Sequence, residues 1–156
     1  MLGIETELSV DIVKNLRFRG FVDVIIRDKR DGRITIIDLK TSTRGWNKYQ
    51  KKDHKKTAQL VLYKKFYAQQ FNVSEDLIDV EYIILRRQIN EDSEWPMKRI
   101  QTFAPANGKP TVNKIGKLLS EFIDDAFNDD GTYNMDLNID IPKCKDKWCK
   151  YCRKPK

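Results

Sequence analysis

Apolar and polar residues alternate from Ile4 through Glu5, Thr6, Glu7, Leu8 and Ser9 to Val10, the period of a half-exposed strand. A second, longer strand is predicted over 16–28, with an apolar run from Phe21 to Ile26. Asp28-Lys29-Arg30-Asp31-Gly32 is turn chemistry, with Gly32 free to take positive φ, so the second and third strands should pair as a hairpin. The third strand reads Ile34-Thr35-Ile36-Ile37-Asp38-Leu39-Lys40. Ile34 and Ile36 share a face with Asp38, and Thr35, Ile37 and Leu39 take the other, a pattern that predicts a central strand covered on both sides.

Thr41–Lys52 shows no period and is expected to be a polar, basic loop carrying Trp46 and Tyr49. From Asp53, a plausible N-cap, to Phe71 the spacing turns helical, with Ala58, Val61, Leu62, Tyr63 and Phe66 apolar. Gln59, Tyr63 and Phe66 recur on one face of that helix. A short turn of helix is expected over Ser74–Leu77, strands over Val80–Leu85 and Lys98–Phe103, and an amphipathic helix over Thr111–Phe127. The order β-β-β-α-β-β-α predicts an α/β fold, a mixed central sheet with helices on both faces.

Composition narrows the class. The chain has 156 residues, 40% hydrophobic and 34% charged, which describes one globular domain with a polar surface. No stretch approaches the roughly 18 apolar residues that span a bilayer, and Met1-Leu2-Gly3-Ile4-Glu5 lacks the head and core of a signal peptide. A cytoplasmic location is the default expectation, the host cytoplasm if the gene is phage-borne. The net charge is +7, but residues 40–56 alone carry +6 (Lys40, Arg44, Lys48, Lys51, Lys52, Lys55 and Lys56 against Asp53). The tail 143–156 carries another +6, so the remainder is −5. Two basic clusters on an acidic body predict a localised surface for a polyanion. Seven acids and no bases between Leu118 and Ile141 mark the side that should not bind it. Pro142 introduces the tail, so the chain divides into a domain over 1–141 and a basic cysteine-containing tail over 142–156. Three cysteines, all in that tail, do not make a secreted disulfide framework.

The chemistry concentrates between Gly20 and Lys40. Asp23 and Asp38 stand in two apolar, β-branched runs, and Lys40 projects from the same face as Asp38 about 7 Å along the strand. An acid and an ammonium side by side at the end of a buried strand are costly unless a metal ion or a substrate anion compensates them. Phosphodiester hydrolysis needs charge neutralised on the non-bridging oxygens, a hydroxide near neutral pH and a stabilised leaving oxygen. One or two Mg²⁺ or Mn²⁺ ions supply all three, and such ions take hard oxygen ligands. Asp23, Asp38 and the main-chain carbonyl of Leu39 are the candidate ligands, and Lys40 the candidate to orient or deprotonate the attacking water.

Gly20-x-x-Asp23, Asp38-Leu39-Lys40-Thr41 and Gln59-x-x-x-Tyr63 together resemble the motifs of the PD-(D/E)XK nuclease superfamily, and among its branches the RecB-like and Cas4-like exonucleases. The resemblance covers residues 4–70 and implies a restriction-endonuclease-like α/β core. It implies catalytic roles for Asp23, Asp38 and Lys40, metal binding by the two aspartates and the Leu39 carbonyl, and substrate or active-site positioning by Gln59 and Tyr63. Arg44, Lys51, Lys52 and Lys55 would then follow the phosphates of DNA, as a single strand or a duplex end, in repair or recombination. Members usually carry a further His or Glu ligand on a helix before the first strand. The 22 residues before Asp23 read instead as strand and turn, which leaves three readings open: a minimal version, a fragment, or a site completed differently, by a partner or a second copy included. The sole histidine, His54, is read as a solvated residue at a helix start.

The tail Cys144-x4-Cys149-x2-Cys152 resembles the cysteine cluster that holds [4Fe-4S] in some Cas4-like nucleases, with three thiolates where four are usual. Zinc with a borrowed fourth ligand and free thiols are the other readings. Two functional hypotheses result: a metal-dependent DNA nuclease, and a nucleic-acid-binding module on a nuclease scaffold with an incomplete metal site.

Overall fold

A computed structural model describes residues 2–89, 92 and 94–136. Five strands form one sheet in the order β1-β2-β3-β4-β5: β1 (Gly3–Asp11), β2 (Arg17–Arg27), β3 (Ile34–Ser42), β4 (Ile78–Arg86) and β5 (Ile100–Phe103). All neighbours are antiparallel except β3 and β4, which run parallel from Ile34↔Ile78 to Ser42↔Arg86. A parallel pair needs a crossover, and it is made by α1 (Lys48–Lys52), α2 (His54–Phe71) and a 3₁₀ turn at Glu75–Leu77. The last helix, α3, spans Lys109–Ala126. This is the mixed α/β sheet flanked by helices that the pattern predicts. None of the helices among the described residues is long and apolar enough to cross a membrane.

The core lies on one face of the sheet. Leu8, Val22, Ile25, Ile34, Ile36, Ile78, Val80, Tyr82 and Ile84 pack against Leu60, Tyr63, Tyr67 and Ala68 of α2. α2 also buries a second side: Val61 meets Val112 and Ile115 of α3, with Ala58 and Leu62 alongside. A helix apolar on two sides shows no single stripe, which is why the spacing picks out Val61 and Leu62 but passes over Leu60 and Tyr67.

Two expectations need correction. Among the described residues α3 packs on the outer side of α2, so helices do not cover both faces of the sheet. On the opposite face Leu39 is 47% exposed, and Leu85 and Ile26 are each 41% exposed. Thr41–Lys52 is not wholly a loop. α1 is started by a capping box in which Asn47 Oδ1 accepts from the Tyr49 and Gln50 N–H groups, and the Asn47 N–H donates to Gln50 Oε1 at 3.0 Å. Five residues are too few for an apolar period to register. The structure adds that β2 does not alternate regularly. Val22 and Ile25, three apart, are both buried. The ladder to β1 skips the position where Glu5 faces Asp23, and Glu5 has φ +49°. The interruption falls on the first motif aspartate.

The cysteine tail, with Cys144, Cys149 and Cys152 and its basic residues, lies outside the described residues.

Candidate active site

β3 carries Asp38 to the upper end of the buried face, where the side chain is only 2% exposed. Lys40, two residues on and so on the same side, reaches back with Nζ 2.7 Å from Asp38 Oδ2. This ion pair lacks hydrogen-bond alignment, and Asp38 Oδ2 is a buried oxygen without a directed donor. Burial therefore raises the Asp38 pKa above the usual carboxylate range; Lys40 opposes the shift and the nearby charge of Asp23 adds to it. An acid held in this way gains from any further cation.

Asp23 arrives from β2. The β2–β3 ladder ends at Val24↔Ile37, and one residue further on Asp23 Oδ2 accepts from the Leu39 N–H at 2.6 Å. The carboxylate thus takes up a donor where strand pairing has stopped, and is tied to the peptide beside Asp38. α2 closes the site from above. Lys40 Nζ donates to Gln59 Oε1 at 3.1 Å, and Gln59 Nε2 donates to the Tyr63 hydroxyl at 3.0 Å. The Tyr63 ring lies over Gly20, where a Cβ would stand 2.8 Å from Tyr63 Cε1. The three motifs noted in the sequence are therefore one continuous set of contacts, Gly20–Tyr63–Gln59–Lys40–Asp38, with Asp23 bound to the backbone next to it.

The floor below is aromatic. Register aligns Asp38 with Tyr82 and Tyr82 with Phe103. The Tyr82 hydroxyl donates to the Lys56 carbonyl at 2.8 Å, fastening the first turn of α2 to the sheet. Trp46 packs on Tyr82 at 4.9 Å between ring centroids. Gln101 holds the Trp46 backbone from both sides, accepting from its N–H at 2.8 Å and donating to its carbonyl at 3.1 Å. Gly45, at φ +85°, lets the chain turn into this position, since a Cβ there would meet Arg86 and Gln101 side-chain atoms at 2.6 and 2.8 Å. Tyr82 and Gln101 were not singled out from the sequence. Each looks like an ordinary strand residue there, and only the register reveals its role.

The basic segment does not form one track. Arg44 faces Gln88, Ile89 and Met97 on one side. Lys51 and Lys52 line a cavity beside Phe103. Lys55 borders the apolar groove between α2 and α3. Lys51 and Lys56 lie over aromatic rings, with Nζ 5.3 Å from the Phe103 centroid and 5.4 Å from that of Trp46. His54 is exposed, with Nε2 3.1 Å from Lys114 Nζ, and takes no part in the aspartate cluster. Part of the acidic stretch is neutralised internally: Lys14, at the tip of the β1–β2 hairpin, lies 3.3 Å from Asp124 and donates to the Phe127 carbonyl at the end of α3.

A sheet with one parallel pair, an aspartate and lysine at the end of β3, and a Gln/Tyr helix above them define a nuclease-like α/β fold with a candidate site at that strand end. The family comparison agrees: the model of the PD-(D/E)XK nuclease superfamily matches residues 1–154, and the chain belongs to that superfamily. The chemistry that membership implies is metal-dependent cleavage of a nucleic-acid backbone. No curated protein matches the sequence. Among solved structures, the crystal structure of SSO0001 is similar at a TM-score of 0.43 and 16% identity, over 77% of this chain. The chain spans about half the length of that protein, the match covering 50% of it.

The residues present suit a hard divalent ion. Asp38 Oδ2 is a buried oxygen lacking a directed donor, and Asp23 is near enough for its charge to act on Asp38. Among the described residues no three or more His, Cys, Asp or Glu side chains gather at one point. Two carboxylates and the Leu39 carbonyl would leave the remaining positions to water, phosphate or a partner chain, a normal arrangement for Mg²⁺.

Proposed function

We propose that the protein is a Mg²⁺- or Mn²⁺-dependent deoxyribonuclease of the RecB-like and Cas4-like kind, acting on DNA ends or single strands. The observation that carries the reading is the line of contacts from Asp38 through Lys40 and Gln59 to Tyr63 and Gly20, because it joins residues of all three motifs, with Asp23 tied to the peptide beside it. Asp23, Asp38 and the Leu39 carbonyl would hold the ion. When bound, it neutralises the phosphate oxygens and acidifies a water molecule. Lys40, its ammonium placed between Asp38 and Gln59, would donate from Nζ to the attacking water and to the phosphate oxygen, holding the one and neutralising charge on the other. Gln59 fixes the direction of that ammonium, and Tyr63 fixes Gln59. The short reach from Lys40 to Asp38 keeps the lysine at the site before substrate arrives.

The test is to incubate labelled single- and double-stranded DNA with Mg²⁺ or Mn²⁺, beside Asp38→Ala and Lys40→Ala. Cleavage that either change abolishes supports the enzyme. Metal-independent cleavage overturns the metal-dependent mechanism, and binding without cleavage by the unmodified protein overturns the enzyme and leaves the binding module. Iron, sulfide and zinc assays on the same preparation test whether Cys144, Cys149 and Cys152 hold [4Fe-4S], zinc or nothing.

A further inference from the structure

A cavity of about 600 Å³ opens beside the proposed active site, between α1, the start of α2 and the segment joining β5 to α3. This lies within the range of about 300–1,000 Å³ usual for small-molecule clefts. Its floor is apolar, formed by Phe103, Pro105 and Ala106, and its rim carries Lys48, Lys51 and Lys52, with no carboxylate in the lining. Lys51 lies over the Phe103 ring, so one side chain joins the charged rim to the aromatic floor.

A flat apolar surface edged by ammonium groups suits a planar ligand that carries anions at its margin. The register shows where it sits: Asp38, Tyr82 and Phe103 are aligned on three adjacent strands. Two strand spacings, about 10 Å, separate the Asp38 backbone from that of Phe103. A strand whose phosphate lies at Asp38 would bring a neighbouring nucleotide to the cavity.

We propose that this cavity is a nucleotide subsite: it takes one unpaired base of the substrate strand against Phe103, Pro105 and Ala106, while Lys48, Lys51 and Lys52 hold the adjoining phosphates. The proposal rests on the nuclease reading and deepens it, since a base stacked within a duplex cannot enter without leaving its stack. The substrate is then a single strand or a frayed end, engaged by stacking that is tolerant of sequence.

The test is a binding measurement on the full chain in EDTA, where metal-dependent cleavage is silent. Fluorescence anisotropy compares a short labelled oligothymidylate with the same strand carrying one abasic residue, moved position by position. The expected result is a loss of affinity of about five-fold or more at one position, the value of one stacked base. Ala106→Trp, a change at an exposed position that fills the cavity, should weaken the intact strand to the same extent and erase the abasic dependence, with an unchanged circular dichroism spectrum. Equal affinity for every abasic strand overturns the subsite, and so does an Ala106→Trp protein that keeps the unmodified position dependence. Parallel digestion of the intact strand with Mg²⁺ or Mn²⁺ separates the two claims. Cleavage without abasic dependence removes the subsite alone, abasic dependence without cleavage removes the nuclease alone, and neither signal removes both.

Discussion

Gly20→Ala probes the link between the first and last motifs. The new Cβ would stand 2.8 Å from Tyr63 Cε1, 3.3 Å from its hydroxyl oxygen and 3.4 Å from Cζ. The ring cannot swing aside cheaply. It is 7% exposed, packs edge-on to Phe18 at 6.3 Å and accepts the Gln59 hydrogen bond. Overpacking of this kind costs about 1–3 kcal/mol, and loss of the Gln59 bond adds about 1 kcal/mol. Restricting the unfolded chain returns about 0.4–1 kcal/mol. The net expectation is a destabilisation of about 1–3 kcal/mol by urea titration. Displacing Gln59 and hence Lys40 should also reduce cleavage on the order of ten- to hundred-fold. In a Tyr63→Leu background the ring is gone and Gly20→Ala should become neutral or mildly stabilising. A double-mutant cycle then gives a coupling of about 1–3 kcal/mol. Additive effects, or a Gly20→Ala protein as stable and active as the unmodified one, would refute the idea that these motifs occur together because they touch.

Asp38→Asn should abolish cleavage and stabilise the metal-free protein by about 1–3 kcal/mol, the cost of a buried, poorly bonded acid, as read from thermal melts at neutral pH. Because the folded pKa of Asp38 lies above its unfolded value, its contribution is most favourable below about pH 4 and declines as pH rises through the raised value. The variant should lack that decline, and an identical pH profile would contradict it. Mg²⁺ at 100 times Kd should stabilise the unmodified protein by about 2.7 kcal/mol, read as a raised melting temperature, and leave that of Asp38→Asn unchanged. Tyr82→Phe should cost about 1 kcal/mol in urea titrations by releasing the Lys56 carbonyl, a value that equal stability would exclude. Lys52→Ala, one cation removed at an exposed position, should lower the salt slope of single-strand binding by about 0.7; an unchanged slope would show that Lys52 meets no phosphate.

The strands, the long helix and the residues of the site could be read from the chain because each depends on local spacing. Period two places Asp38 and Lys40 together, and period 3.6 stacks Gln59 above Tyr63. Gly20, Asp23 and Asp38 are also informative as types, since a glycine and two acids within apolar strands need a reason. What could not be read depends on distant residues. α3 lies on α2, not across the sheet, because α2 has a second apolar side and Val112 and Ile115 fit it; two-sided burial blurs the only signal that spacing carries. The gathering of Trp46, Tyr82, Phe103 and Gln101 comes from a parallel register that a crossover of more than thirty residues brings about. The basic run 40–56 is contiguous along the chain but spread over three surfaces, because α1 and α2 turn successive lysines to different sides. Sequence alone thus named the candidate groups for the chemistry and the elements that carry them. Only the tertiary structure decided what they touch, since contact is a property of surfaces brought together and not of order along a chain.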